Sequence, residues 1–276
     1  MTNAGAEGPL LRVENLSVTY QSMGETVRAV DGISFSVKTG EVFALVGESG
    51  SGKSSAALAL TKLLPMPPAA ISGQVVFDGR NLLEMDTGAL RGIRGGKIAY
   101  VFQDPATTLN PVLTIGEQLT EAISLHTPVR GREAMRVATE WLERVGIASG
   151  AKRLGAYPHE FSGGMQQRVC LAMAMAVRPA LLIADEPTTA LDVTVQVQIL
   201  RLLRDLQRTL GLSVLLISHD LLVVERIAHR VGVMSVGKLI ECGDAVQVLR
   251  QPVQAYTKAL LRARAAMSLR HGLRHG

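Results

Sequence analysis

The sequence has few cysteines, few aromatic residues and no long apolar run. Its two cysteines, Cys170 and Cys242, are too few for a disulfide framework or a four-thiolate metal site. Aromatic residues make up 4% of the 276 residues, which argues against base-stacking platforms for nucleic acid. The richest apolar stretch runs from Val169 to Ala184, is interrupted by Arg178 and Pro179, and is too short to span a bilayer.

The N-terminal residues 1–9 contain no basic residue followed by an apolar segment, so we expect no secretory signal. We therefore expect a cytosolic chain whose role at a membrane, if it has one, comes through a partner. Hydrophobic residues make up 47% of the sequence, which excludes intrinsic disorder. The length predicts one large domain, or one domain that carries an insertion.

The net charge of +5 is concentrated at the C-terminus. Residues 262–276 contain four arginines and no acidic residue, so residues 1–261 are close to neutral. We predict a domain at 8–261 with no nucleic-acid-binding face, followed by a basic tail at 262–276. The plainest expectation for the tail is a frayed, solvated end, and the alternative is a contact with anionic lipid or an acidic partner.

Apolar residues are spaced as in two kinds of strand. Residues 10–20 and 27–37 alternate apolar and polar positions on either side of Gly24, which predicts an antiparallel pair with one exposed face. The unbroken apolar run Val42–Val46 predicts a strand covered on both faces. Further strands are predicted at 73–78, 97–102, 180–184, 213–217 and 231–236. Buried strands that alternate with helices indicate an α/β fold with a parallel sheet.

Helical spacing marks several intervening segments. We predict a helix at 53–64 that ends before a cluster of prolines, and another at 131–146 with Met135 and Trp141 on its core stripe. The mostly helical stretch at about 104–178 interrupts the α/β pattern. We interpret it as a helical subdomain inserted into the core.

A glycine-rich loop carries the strongest chemical signal. It fits the pattern G-x-x-x-x-G-K-[ST] after a buried strand and before a helix, as Gly47-Glu48-Ser49-Gly50-Ser51-Gly52-Lys53-Ser54. Backbone N–H groups of such a loop converge on phosphate oxygens, and the helix dipole favours the anion. Lys53 would neutralise the β- and γ-phosphates and Ser54 would ligate Mg²⁺. The alternative is an ordinary glycine-rich turn.

Two other segments are consistent with phosphate chemistry. The apolar strand 181–184 ends in Asp185, which can hold Mg²⁺ through water, and Glu186, which can polarise a water aimed at the γ-phosphate. Alone, this is also the pattern of a strand that meets solvent at an acidic turn. A second cradle of backbone amides is predicted at Ser162-Gly163-Gly164-Met165-Gln166, which also reads as an ordinary helix N-cap.

These motifs resemble those of the nucleotide-binding subunit of ABC transporters. The resemblance rests on their order along the chain, together with Gln103, Ala190-Leu191-Asp192 and His219. The resemblance extends from about residue 10 to 261. It implies a P-loop NTPase (RecA-like) core with an N-terminal antiparallel β-subdomain and the inserted helical subdomain. It also implies ATP and Mg²⁺ as cofactors, and a head-to-tail pair of cassettes in which the glycine-rich loop of one faces the 162–166 signature of the other.

The resemblance also implies roles for single residues. Tyr20 matches the aromatic position that stacks on adenine, and Ser55 extends the phosphate-binding loop. Gln103 links Mg²⁺ and the attacking water to the helical subdomain. Asp192 matches the D-loop, and His219 the switch histidine that contacts the γ-phosphate. Plainer alternatives are a strand residue for Tyr20, a strand-end cap for Gln103 and a helix N-terminal residue for His219.

Two segments, Tyr157–Met165 and Ala184–Thr194, resemble in sequence the oligopeptide, dipeptide and nickel importer group. Members of this group work with a second ATPase, two permeases and an extracytoplasmic substrate-binding protein, so a peripheral location on the cytoplasmic face of the inner membrane is implied. The chain departs from the group at Gln254-Ala255, where His-Pro is usual, and it has no cysteine after Cys242 for the iron–sulfur cluster of some members. The competing hypothesis is an accessory ATPase of an enzyme complex such as carbon–phosphorus lyase.

Overall fold

The computed structural model describes residues 8–22, 24–189 and 191–272. Its strands are β1 (Leu11–Ser22), β2 (Glu25–Val37), β3 (Val42–Val46), β4 (Ala69–Phe77), β5 (Arg80–Asn81), β6 (Ile98–Val101), β7 (Leu181–Asp185), β8 (Ser213–Ser218), β9 (Arg230–Ser235) and β10 (Lys238–Asp244). Its helices are α1 (Lys53–Ala59), α2 (Thr87–Ile93), α3 (Pro105–Thr108), α4 (Ile115–His126), α5 (Gly131–Arg144), α6 (Gly150–Arg153), α7 (Gly163–Ala176), α8 (Val193–Leu210), α9 (Leu221–Ile227), α10 (Ala245–Arg250) and α11 (Ala255–Gly272), with a short 3-10 helix at Pro158–Glu160.

The chain forms two compact units. The first takes in the chain up to Met85 and again from Leu215 onward, and the second is Asp86–Val214. Each unit carries part of the residues singled out from the sequence.

An antiparallel sheet in the first unit has the strand order β2-β1-β4-β5. Leu11 of β1 pairs with Val37 of β2 on one side and Phe77 of β4 on the other, and all three side chains are buried. Gly24 adopts a φ of +87° between β1 and β2, a conformation that glycine reaches without strain. The predicted antiparallel pair is therefore confirmed.

A second sheet in the first unit contains β3, with β9 and β10 on one side and β8 on the other. All five residues of β3 are buried, as its unbroken apolar run predicts. Phe43 to Val46 pair in parallel with Arg230 to Val233 of β9. Residues after β3 therefore leave the sheet from a rigid, fully covered strand.

The first helix is shorter than predicted. The helix predicted at 53–64 ends at Ala59, with Leu60 as its C-cap. Lys62 has a φ of +52°, which is left-handed and incompatible with a continuing helix. The prolines at 65, 67 and 68 then follow in a segment that turns at residues 66–68 and leads to β4. The prediction was wrong because the chain leaves the helix before it reaches the prolines.

The second unit combines a parallel strand pair with packed helices. Ile98 to Val101 of β6 pair in parallel with Leu181 to Ala184 of β7. Helix α5 runs over Gly131–Arg144, and Trp141 is 3% exposed, so its predicted core position is confirmed. Met135 is 51% exposed, so its predicted place on the core stripe is wrong. Its neighbour Ala134 is buried instead, and the apolar stripe is shifted by one residue at this end of the helix.

The C-terminal helix α11 continues to Gly272, so most of the segment predicted as a frayed tail is helical. Alanine, leucine and arginine predominate there, and these residues have high helix propensity. The last four residues of the predicted tail, 273–276, lie outside the described residues. No helix within the described ranges is both long and apolar enough to cross a membrane.

Candidate nucleotide-binding and hydrolysis site

The loop after β3 is shaped by glycines in backbone conformations that other residues seldom adopt. Gly47, Gly50 and Gly52 have φ values of +154°, +79° and +98°. A Cβ at Gly47 would lie 2.2 Å from the carbonyl oxygen of Met234, and one at Gly52 would lie 2.1 Å from that of Ala29. Both contacts are with backbone atoms, so the neighbours cannot rotate away. The spacing of the motif is therefore a steric requirement of this loop.

Lys53 turns back into the loop that precedes it. Its side chain is buried, and Nζ donates to the carbonyl oxygens of Gly47 at 2.9 Å and Glu48 at 2.7 Å, and to Ser51 Oγ at 3.3 Å. Residues 48–50 are exposed and form the rim of the loop. A buried ammonium group behind an exposed rim of backbone amides has the chemistry of a phosphate site.

Tyr20 lies beside the first turn of α1. Its hydroxyl is 3.2 Å from Ser55 Oγ, and the phenol is half-buried. Tyr20 pairs with Val27 of β2 and Ala69 of β4, so the antiparallel sheet fixes its position. Ser54 at the start of the same helix is exposed. The structure thus places Tyr20 beside the first turn of the helix that follows the glycine-rich loop.

Two contacts to this loop were missed from the sequence because they come from distant segments. Gly237, in the turn between β9 and β10, donates its N–H to Ser51 O at 3.1 Å, and its own carbonyl oxygen accepts from Asp31 N at 2.8 Å. Tyr256 of α11 accepts a long hydrogen bond of 3.5 Å from the N–H of Glu48. The nearest sequence signal was the departure at Gln254-Ala255, where the importer group usually has His-Pro.

His219 follows directly after β8, and β8 lies next to β3 in the sheet. The histidine is exposed. Asp220 N donates to Ser218 Oγ at 2.9 Å, which fixes the turn that carries the imidazole. His219 and the glycine-rich loop thus leave neighbouring strands of the first unit.

In the second unit, Gln103 follows strand β6, and Asp185 is the last residue of the parallel strand β7. Val101 pairs with Ala184, so the two polar residues leave the same edge of this pair. Gln103 is exposed, and Asp185 is 9% exposed. An amide and a carboxylate here, and the Ser54 hydroxyl in the first unit, are oxygen ligands of the type that Mg²⁺ prefers. Within the described ranges, no cluster of three or more His, Cys, Asp and Glu has the arrangement of a metal site.

Glu186 has an unusual backbone conformation. Its φ is +46°, in the left-handed region that non-glycine residues seldom adopt. Thr189 Oγ1 donates to Glu186 Oε2 at 2.8 Å, and Thr189 N donates to Glu186 O at 3.2 Å. Strained backbone of this kind concentrates at functional positions. Thr189 was not among the residues singled out from the sequence, although it lies three residues after Glu186.

The signature segment begins helix α7. Ser162 is the N-cap, and its Oγ accepts from the N–H of Met165 at 3.4 Å. Gln166 Nε2 donates to Pro158 O at 2.8 Å and to Phe161 O at 3.3 Å, so this amide holds the loop before the helix. The structure therefore confirms that Ser162 is an ordinary helix N-cap. An N-cap is compatible with the predicted binding of phosphate, because a capped helix start still presents free N–H groups.

The signature and the D-loop come together within the second unit. Gly163 lies against Leu191, and a Cβ at Gly164 would be 2.5 Å from Val195 Cγ1. Asp192 caps helix α8 by accepting from Val195 N at 3.1 Å. The first residue of the predicted D-loop segment, Ala190, lies outside the described residues.

Comparison with known proteins gives a consistent result. A family model described as ABC transporter matches residues 30–189. The peptidoglycan transport ATP-binding protein YejF of Agrobacterium fabrum is 54% identical over 256 residues, which cover 92% of this chain and 47% of that protein. The oligopeptide transport ATP-binding protein OppD of Bacillus subtilis is 46% identical over 253 residues, which cover 91% of this chain and 71% of that protein. The chain therefore spans about half the length of the Agrobacterium relative.

The solved structures that this chain resembles include ATP-binding cassettes. The dimeric post-hydrolysis state of the ATP-binding cassette MJ0796 bound to ADP and Pi matches with a TM-score of 0.76 and 29% identity, covering 85% of this chain and 98% of that one. The cbiO1 protein of Clostridium perfringens, part of the transporter complex cbiONQ, matches with a TM-score of 0.73 and 28% identity, covering 89% and 92%.

Proposed function

The chain belongs to the ABC transporter family, and from this premise we propose that it hydrolyses ATP to energise a membrane importer of di- or oligopeptides. The observation that carries the ATPase assignment is the buried Lys53 inside a loop whose glycines are sterically required. The printed names of the relatives, which refer to oligopeptide and peptidoglycan transport, support the cargo class.

The proposed mechanism gives each residue one task. The loop from Gly47 to Ser55 binds the phosphates, with Lys53 neutralising charge on the β- and γ-phosphates, while Tyr20 stacks on adenine. Glu186 accepts a proton from the attacking water, and His219 contacts the γ-phosphate. Ser54, Gln103 and Asp185 would hold Mg²⁺, which when bound neutralises charge on the transferred phosphoryl group.

We propose that the chain works as one of two cassettes. The dimeric MJ0796 structure bound to ADP and Pi supports this arrangement. Residues 162–166 and Asp192 would then face the nucleotide of the partner cassette, which is either a second copy or a related ATPase. Two permeases and an extracytoplasmic substrate-binding protein complete the importer, and the chain is peripheral, on the cytoplasmic face of the membrane.

The alternative is an accessory ATPase of an enzyme complex, which would hydrolyse ATP with the same residues. The names of the two relatives favour transport, since both refer to transport. A nickel importer shares the group resemblance, but these relatives are named for peptidoglycan or oligopeptides.

The assembled importer, reconstituted in vesicles, tests the proposal. With wild-type chain, we expect ATP-dependent uptake of labelled peptides and none of Ni²⁺. With Glu186→Gln, ATP binding should persist while hydrolysis and uptake fall by roughly 10²-fold or more, the range for a lost general base.

Lys53→Ala is the matched control, because it should lose ATP binding itself. Hydrolysis without any uptake of peptide would favour the accessory ATPase. Near-normal hydrolysis by Glu186→Gln would remove Glu186 as the base, and unchanged ATP binding by Lys53→Ala would contradict the phosphate site.

A further inference from the structure

The turn that follows β7 is closed twice by one threonine. The backbone N–H of Thr189 donates to the carbonyl oxygen of Glu186 at 3.2 Å, and its hydroxyl donates to Glu186 Oε2 at 2.8 Å. The first bond sets the backbone of the turn. The second sets the direction of the carboxylate, which backbone geometry alone leaves free to rotate.

The turn is itself braced from helix α8. Gln196 Nε2 donates to the carbonyl oxygens of Thr188 at 3.0 Å and Leu191 at 3.1 Å, on either side of Thr189. Thr188 is 5% exposed, so the turn rests on buried structure at this point. Thr189 is exposed, yet its backbone is held from both sides. Its hydroxyl therefore acts from a fixed position.

Glu186 has a left-handed backbone, and this gives the hydrogen bonds from Thr189 a structural role. A φ of +46° directs the side chain along a path that a right-handed or extended residue would not take. A residue held in this conformation needs surrounding contacts that determine it. Two such contacts, one from a side chain and one from the backbone, come from the same residue, Thr189.

We propose that Thr189 is a positioning residue for ATP hydrolysis, which orients the Glu186 carboxylate toward the attacking water by donating to Oε2. The inference rests on the proposed role of Glu186 as base. In the step it serves, a proton passes from water to the carboxylate, the water oxygen bonds to the γ-phosphorus, and the bond from phosphorus to the bridging oxygen breaks to release ADP.

Two variants separate positioning from simple support of the turn. Thr189→Val keeps the shape and the backbone N–H but removes the hydroxyl, whereas Thr189→Ser keeps the hydroxyl. Thr209→Val is a matched control, because Thr209 lies at the opposite end of α8 and its hydroxyl donates to Asp205 O at 2.8 Å. ATP affinity and thermal unfolding are measured for each, to show that the protein is folded and binds nucleotide.

The measurement is steady-state ATP hydrolysis by the assembled importer. We expect Thr189→Val to lower kcat by about 5- to 30-fold with KM within about 2-fold, the pattern of an interaction that matters in the transition state. Thr189→Ser should recover most of the rate, and Thr209→Val should match wild type. Thr189→Val should cost no further rate in the Glu186→Gln background, because the threonine acts through the carboxylate.

The outcomes are distinct. If Glu186→Gln loses hydrolysis but Thr189→Val keeps a wild-type kcat, or if Thr189→Ser is as slow as Thr189→Val, the positioning role is wrong while the proposed function stands. If Glu186→Gln hydrolyses ATP normally, the assignment of the base fails, and the positioning role fails with it.

Discussion

The glycine-rich loop of the first unit and the acidic loop of the second are held in different ways. Residues 47–52 are shaped by backbone, through left-handed glycines and close carbonyl oxygens. The loop from Glu186 to Asp192 is shaped by side chains, through Thr189, Gln196 and the cap of Asp192. A phosphate cradle needs amides in fixed places, whereas a base needs one carboxylate in a fixed direction. The comparison teaches that the first loop depends on the absence of side chains and the second on their identity.

The largest expected effect is on the backbone-shaped loop. Gly52→Ala places a Cβ 2.1 Å from Ala29 O at a φ of +98°, so the loop must move and its amides lose their geometry. We expect ATP affinity to fall by at least about 10²-fold, with reduced stability. ATP titration and thermal unfolding are the measurements.

Gly50→Ala is its matched control. Gly50 has a φ of +79°, but nothing lies within 4 Å of the Cβ that alanine would add, so only the backbone strain of about 1–2 kcal/mol remains. Equal losses of ATP affinity in the two variants would mean that backbone conformation, rather than close packing around Gly52, shapes the loop. This result would contradict the steric explanation of the loop.

An intermediate effect is expected where the signature meets the D-loop helix. Gly164→Ala brings a Cβ within 2.5 Å of Val195 Cγ1, and a β-branched side chain has little freedom to move away. We expect a loss of about 1–3 kcal/mol in the free energy of unfolding. Gly163→Ala is the control, since Leu191 Cδ2 at 3.7 Å is an ordinary contact. Chemical denaturation compares the two, and a stable Gly164→Ala would show that these helices are not packed as described.

The smallest effect concerns the core of the signature helix α7. Cys170 is 5% exposed, and burial raises the pKa of its thiol from 9.0 to about 12. Below pH 9 the thiol is neutral in both states, and between pH 9 and 12 it ionises only when the chain unfolds. The stability that it contributes is therefore complete below pH 9 and decreases as the pH rises, by about 1 kcal/mol at pH 10.

Comparing Cys170→Ala with wild type isolates this contribution. The difference in unfolding free energy between the two proteins should shrink from pH 8 to pH 10, as measured by denaturant titration. Burial raises the pKa of the Cys242 thiol as well, so Cys242→Ala is measured alongside to separate the contribution of that thiol. If the difference in unfolding free energy does not change with pH, the Cys170 thiol ionises as readily in the folded protein as in the unfolded chain.

The sequence predicted the parts of the fold that depend on local patterns. Val42–Val46 reads as a covered strand because every residue is apolar, and all five are buried. Trp141 falls on a helical stripe and is in the core. The end of α1 was missed because Lys62 leaves the helix through a left-handed turn that no neighbouring residue type requires. Met135 was misplaced because a stripe of spacing i, i+3, i+4 does not determine where a core face ends.

The sequence also predicted some residues of the candidate site and missed others. Glycine, lysine and acidic residues stood out because their spacing has a direct chemical meaning. The supporting contacts did not, because Gly237 and Tyr256 reach the loop from about two hundred residues away in the sequence. Thr189 and Gln196 were close in sequence but have common side chains whose role depends on geometry.

The left-handed backbone of Glu186 has a consequence in evolutionary terms. Glycine or asparagine would adopt a φ of +46° with less strain, so either substitution would favour the folded chain while removing the carboxylate. Selection for abundance alone would therefore drive this position away from glutamate. If Glu186 is the base, a screen scored on protein level would rank its loss as a gain, whereas a screen scored on growth with peptide as the required nutrient would rank the same change among the most harmful.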